Sequence, residues 1–181
     1  MLQKLILSIL ISIFANGSAL KIDDKISSFS LPNQFDKIHT VSSDISIIIV
    51  TFEKESANLV NDFLSSKNSD FLDLNNAIFI NDISCVPSVV VKMFTIPKMR
   101  DYKYDILLIY KENSKKFLEE ENKITVYLLE KGFVKDLYLI ENGKVLSLDN
   151  YENLLKFIQY FVHCPISERC ACSVASADGF A

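Results

Sequence analysis

The 181-residue sequence predicts an α/β fold, a three-layer α/β/α sandwich with a central mixed sheet and an N-terminal β-hairpin. Two observations carry this prediction. Residues 46–52 (SIIIVTF), 77–83 (AIFINDI) and 106–110 (ILLIY) are nearly continuous apolar runs, mostly of β-favouring residues, which suits strands covered on both faces. Between and after them stand segments with helical spacing, and alternating strands and helices build a sheet with covered faces.

Residues 29–32 and 37–41 flank the turn-like stretch 33–36 and predict the opening hairpin. The strand 46–52 is followed by a helix over 55–64, whose Ala57, Leu59, Val60, Phe63 and Leu64 form an apolar stripe. After the strand 77–83, Pro87 suits the first turn of a helix continued by residues 89–94. The strand 106–110 comes next, and polar residues 114–121 read as a short helix or loop. Residues 123–129 and 134–140 then flank 130–133, where Gly132 suits a hairpin turn. Asn142-Gly143 is a further turn signal. A helix over 151–162 closes the domain, with Leu154, Leu155, Phe157, Ile158 and Phe161 facing inward.

The first 19 residues read as a signal peptide. Lys4 supplies a positive start and residues 5–15 (LILSILISIFA) an apolar centre. Gly17 and Ala19 place small residues for cleavage after Ala19. The apolar run is shorter than the roughly 20 residues that span a bilayer. Export to the periplasm, with no stable membrane span after cleavage, is the expectation, and an uncleaved N-terminal anchor is the alternative. The body is then one domain, 20–163, with a C-terminal tail, 164–181.

Composition excludes several functions. The formal charge is −4, and no Lys/Arg-rich block offers a footprint for a nucleic-acid backbone. Of four glycines, Gly17 lies in the leader and Gly179 at the end, leaving Gly132 and Gly143 for the core. Neither a G-x-G-x-x-G fingerprint nor a G-x-x-x-x-G-K-[ST] loop exists, which disfavours nicotinamide, flavin and P-loop nucleotide sites. No cofactor is expected.

Residues FSLPNQFDKIHTV (29–41) resemble the opening hairpin of thioredoxin-like proteins of the peroxiredoxin and TlpA type. SIIIVTF followed by a helix is similar to the strand that delivers their active site. KITVYLLEKGFVKDLYLIENG (123–143) resembles their terminal hairpin. NDISCVPSVVVKMFTIPKM (81–99) resembles a run in exported bacterial members of that superfamily. The resemblance covers most of residues 27–162 and implies a Cys-x-x-Cys where the first buried strand turns into its helix. There the helix N-terminus lowers a thiol pKa. This chain has Phe52-Glu53-Lys54-Glu55-Ser56 at that position. The family also places a cis-proline before the strand facing the site, and the position expected to match it is Asp105, ahead of ILLIY. The resemblance therefore implies the scaffold without the dithiol site.

Four cysteines remain. Cys85, between a strand and the helix start at Pro87, reads either as a helix-terminal thiol or as a small half-buried hydrophobe, the plainer reading. In the tail, His163, Cys164, Cys170 and Cys172 could ligate zinc or copper or form a disulfide. The competing reading of the tail is a disordered or non-native extension. Glu53, Lys54 and Glu55 read as a solvated helix start, and His39 as a half-exposed strand residue. The leading expectation is a non-catalytic binding or accessory module with an envelope protein partner. The alternative is a thiol- or metal-dependent redox protein using Cys85 or the tail cysteines.

Overall fold

A computed structural model describes residues 19–110 and 115–142. The greater part of the leader, the helix expected over 151–162, and the tail with His163, Cys164, Cys170 and Cys172 lie outside the described residues.

In chain order the elements are β1 (Phe29–Pro32), β2 (Ile38–Val41), β3 (Ile47–Thr51), α1 (Lys54–Ser65), α2 (Phe71–Leu74) and β4 (Ala77–Asp82). A second helical stretch follows without a break as α3 (Ser88–Val90), a π turn (Val91–Thr95) and α4 (Ile96–Met99). β5 (Ile106–Ile109), β6 (Lys123–Glu130) and β7 (Phe133–Glu141) complete the order. The central sheet runs β5-β4-β3-β6-β7. β3, β4 and β5 are mutually parallel, while β6 pairs antiparallel with both β3 and β7. The mixed sheet expected from the apolar runs is present, and residues 118–122 form a loop.

Both faces of the sheet are buried, as the unbroken apolar runs require. Ile47 and Ile49 of β3 point to one side, with Phe79, Ile106, Leu108 and Val126, where α1 and the second helical stretch cover them. Ile48 and Val50 point to the other, with Ile80, Leu107, Ile109 and Tyr127. Among the described residues that second face is covered by the β1–β2 hairpin, Ile26 and Phe117.

The hairpin is fastened by two buried amides in its loop. Asn33 Oδ1 accepts the N–H groups of Phe35 and Lys37, each at 2.9 Å, which closes the turn. Gln34 Nε2 donates to the Tyr104 carbonyl and Gln34 Oε1 accepts the Ile106 N–H, both at 2.8 Å, tying the loop to the start of β5. The β6–β7 turn uses Lys131 at φ 52° and Gly132 at φ 80°. Two consecutive positive φ values give the tight hairpin turn whose twist matches its strands.

The π turn has a local cause. Pro97 lacks an N–H, and its ring would press on the carbonyl one helical turn earlier. Widening the turn relieves that contact, and the Ile96 N–H bonds the Val91 carbonyl instead.

Candidate functional site

β3 delivers Glu53, Lys54, Glu55 and Ser56 to the carboxyl edge of the parallel strands, where the chain turns into α1. Ligand sites in open α/β sheets collect at that edge, beside the point where strand order changes direction. Here β4 lies on one side of β3 and the much later β6 on the other.

Two of the four turn residues are committed to the structure. Glu53 accepts the Asn122 N–H through both carboxylate oxygens, each at 3.2 Å, which pins the turn to the approach of β6. Ser56 is fully buried, and its hydroxyl donates to Asn142 Oδ1 at 3.0 Å. Asn142 Nδ2 is buried with no hydrogen-bond partner among the described residues. Glu55 is exposed in the first turn of α1, where a carboxylate suits the positive end of the helix dipole.

The structure does not bring Asp105 to this turn, and the expectation that it borders the site is corrected. β5 runs parallel to β4, with Asn81 paired to Leu108 and Thr51 to Asn81. Asp105 therefore lies three residues below the level of Thr51, about 10 Å along the strands. It sits at the amino edge of the sheet. There Asp105 Oδ2 lies 3.2 Å from His39 Nε2, and Asp105 Oδ1 accepts from Asn33 Nδ2 at 3.0 Å. His39 and Asp105 line a cavity of about 690 Å³ with Phe35, Tyr102 and Tyr104. What does reach the turn is the approach to β6, through Asn122.

Cys85 is exposed and in no disulfide among the described residues, so the reading as a half-buried hydrophobe does not hold. It lies beside a cavity of about 680 Å³ with Lys92, Arg100 and Tyr110. Its position between β4 and α3 puts it at the carboxyl edge, one loop away from the Glu53 turn. Among the described residues no three His, Cys, Asp or Glu side chains converge as a metal site would need.

A third cavity, of about 390 Å³, opens directly beside the turn, between α1 and the second helical stretch. Phe52, Ala57, Val86, Val90, Phe94 and Met99 supply apolar wall, and Lys54 and Lys98 lie at its sides. Asn61, Asn81 and Asp82 supply polar surface, although they are only 5%, 6% and 8% exposed. The Asn61 Oδ1 atom accepts from the Tyr104 hydroxyl at 2.9 Å, and Asn81 Oδ1 from the Thr51 hydroxyl at 3.2 Å. Burial pushes the Tyr104 phenol up to about 12, so it stays a protonated donor at physiological pH. Sequence reasoning passed over Asn61, Asn81 and Asp82. Their signal was present: Asn61 falls on the buried stripe of α1, and Asn81-Asp82 interrupt an otherwise apolar strand.

No protein-family model matches the chain, and no curated protein does. Solved structures do. A Chlorobium tepidum protein assigned as the thiol:disulfide interchange protein DsbE superposes with a TM-score of 0.53 at 12% identity, over 80% of this chain and 99% of that one. A Bacteroides thetaiotaomicron protein assigned as a protein disulfide isomerase gives 0.51 at 14% identity, over 81% of this chain and 92% of its own. The fold is thioredoxin-like, an α/β fold with a central mixed sheet.

Proposed function

We propose that this chain is an exported thioredoxin-like domain that binds rather than catalyses, a non-catalytic binding or accessory module for an envelope protein. One observation carries the reading. The strand-to-helix turn holds Glu53, Lys54, Glu55 and Ser56, and the polar groups of Glu53 and Ser56 are already spent on Asn122 and Asn142. A dithiol mechanism needs a thiolate there, stabilised by the helix end. The turn offers a carboxylate that anchors a loop. The leader composition supports export, and no helix among the described residues is long and apolar enough to cross a membrane.

Insulin reduction with dithiothreitol tests this reading. The periplasmic protein, beginning at Leu20, is expected to leave the uncatalysed rate unchanged; a rate near that of an active thioredoxin overturns it. The exposure of Cys85 favours a second reading, a thiol-dependent redox protein. In that case the same assay shows activity that disappears in Cys85→Ser.

A further inference from the structure

We infer that the apolar side of the second helical stretch, with the cavity beside it, is the contact through which two copies of this chain pair face to face. The inference goes beyond the binding-module reading and does not depend on it.

The patch has the size such a contact needs. Val89, Val90, Met93 and Phe94 are 64%, 40%, 63% and 66% exposed, and their spacing sets them along one side of the helical stretch. Together they present about 400 Å² of surface, comparable to the largest apolar patch of an ordinary monomer and of the kind that marks interaction sites. Homodimer contacts are about 65% apolar, so the patch with a polar rim covers about 600 Å² per copy. Two copies bury about 1,200 Å², the lower end of specific interfaces. The pair is therefore a weak one, with a Kd on the order of 10–100 μM.

Shape favours a second copy as the occupant. Phe94 borders the cavity of about 390 Å³ and is itself largely exposed, so a projecting ring and a recess stand side by side on one surface. An isologous contact needs both on the same patch, because a two-fold axis gives each copy the role of the other. Phe94 of each copy enters the recess of the other, against Phe52, Ala57, Val86 and Met99. Since ring and recess adjoin, the contact closes at two copies and does not continue into a filament.

Charge points the same way. Glu53 and Asp82 line this cavity together with Lys54 and Lys98. A strongly acidic or strongly basic partner meets like charge there, whereas a second copy brings both signs.

Sedimentation equilibrium of the purified chain beginning at Leu20, from about 1 to about 200 μM with thiols kept reduced, tests the inference. The expected mass rises from that of one chain to that of two and stops there. Phe94→Ser and Met93→Ser each raise Kd about tenfold or more, while Leu74→Ser, at a 72% exposed position on α2, leaves it within about twofold. All three positions are exposed, so thermal unfolding at about 1 μM, where the chain is single, stays at its original temperature. Amide resonances that move on dilution are expected in residues 86–98 and in the turn at 52–54. The inference is overturned by a single chain at every concentration, whether its own tail or another protein covers the patch. It is equally overturned by a mass that grows past two copies, or by pairing that Phe94→Ser and Met93→Ser leave unchanged.

Discussion

Gly132 shows how closely a single residue is specified. Its φ of 80° lies in the left-handed region, and a Cβ placed there would come within 2.8 Å of Ser43 Cβ. Gly132→Ala therefore meets both a strained backbone and a close contact. The expected cost is about 2 kcal/mol, read as a lower urea midpoint with unchanged slope. This glycine was legible from the sequence because a hairpin turn has a fixed chemistry. Asn61 was harder to read, because a polar residue on a buried stripe acquires meaning only through its partner. That partner, the Tyr104 hydroxyl, lies 43 residues away.

At the scale of elements, the turn from β3 into α1 is held by a carboxylate. Glu53→Ala removes both acceptors from the Asn122 N–H and frees the approach to β6. The group is partly solvated, so the expected loss is about 0.5–1.5 kcal/mol. Chemical denaturation measures the loss, and amide exchange at Asn122 is expected to quicken. The strands themselves were readable, because continuous β-branched runs admit little else. Their spatial order was not. Asp105 was expected at the reactive turn because it precedes the third buried strand. Sequence order does not reveal that β5 pairs with the outer side of β4 while β6 takes the place beside β3. The exposed side of the second helical stretch was also illegible, since Val89, Val90, Met93 and Phe94 look like core material until the sheet shows which side faces it.

For the whole molecule, alkaline pH tests how the core holds together. Burial raises the Tyr104 phenol from 10.0 to about 12, and also pushes up Tyr102, Tyr127 and Tyr138. The unfolded chain sheds these protons first, so stability is fully present below pH 10 and is lost as pH rises towards 12. Urea midpoints are expected to hold between pH 7 and pH 9 and to fall between pH 10 and pH 12. Tyr104→Phe is expected to make that fall shallower. An unchanged slope in the variant would assign the loss to other groups. The fold class was visible from composition and periodicity, because two-sided burial of the sheet writes itself into every strand. The coupling between its faces was not, because it depends on long-range bonds such as those from Gln34 to the β5 approach.

The N-terminal segment is bonded to the body from its first described residues onward. The Leu20 N–H donates to the Lys116 carbonyl at 3.0 Å, Asp23 to Val134 at 2.8 Å and Ile26 to Gly132 at 2.8 Å. A peptidase cutting after Ala19 must grip chain on both sides of that bond, and the residue on its far side already belongs to the folded sheet assembly. In the exported form proposed above, processing would thus compete with closure of the domain. A chain that folds before it is cut protects its own scissile bond, whereas one cut while still emerging releases Leu20 to find Lys116.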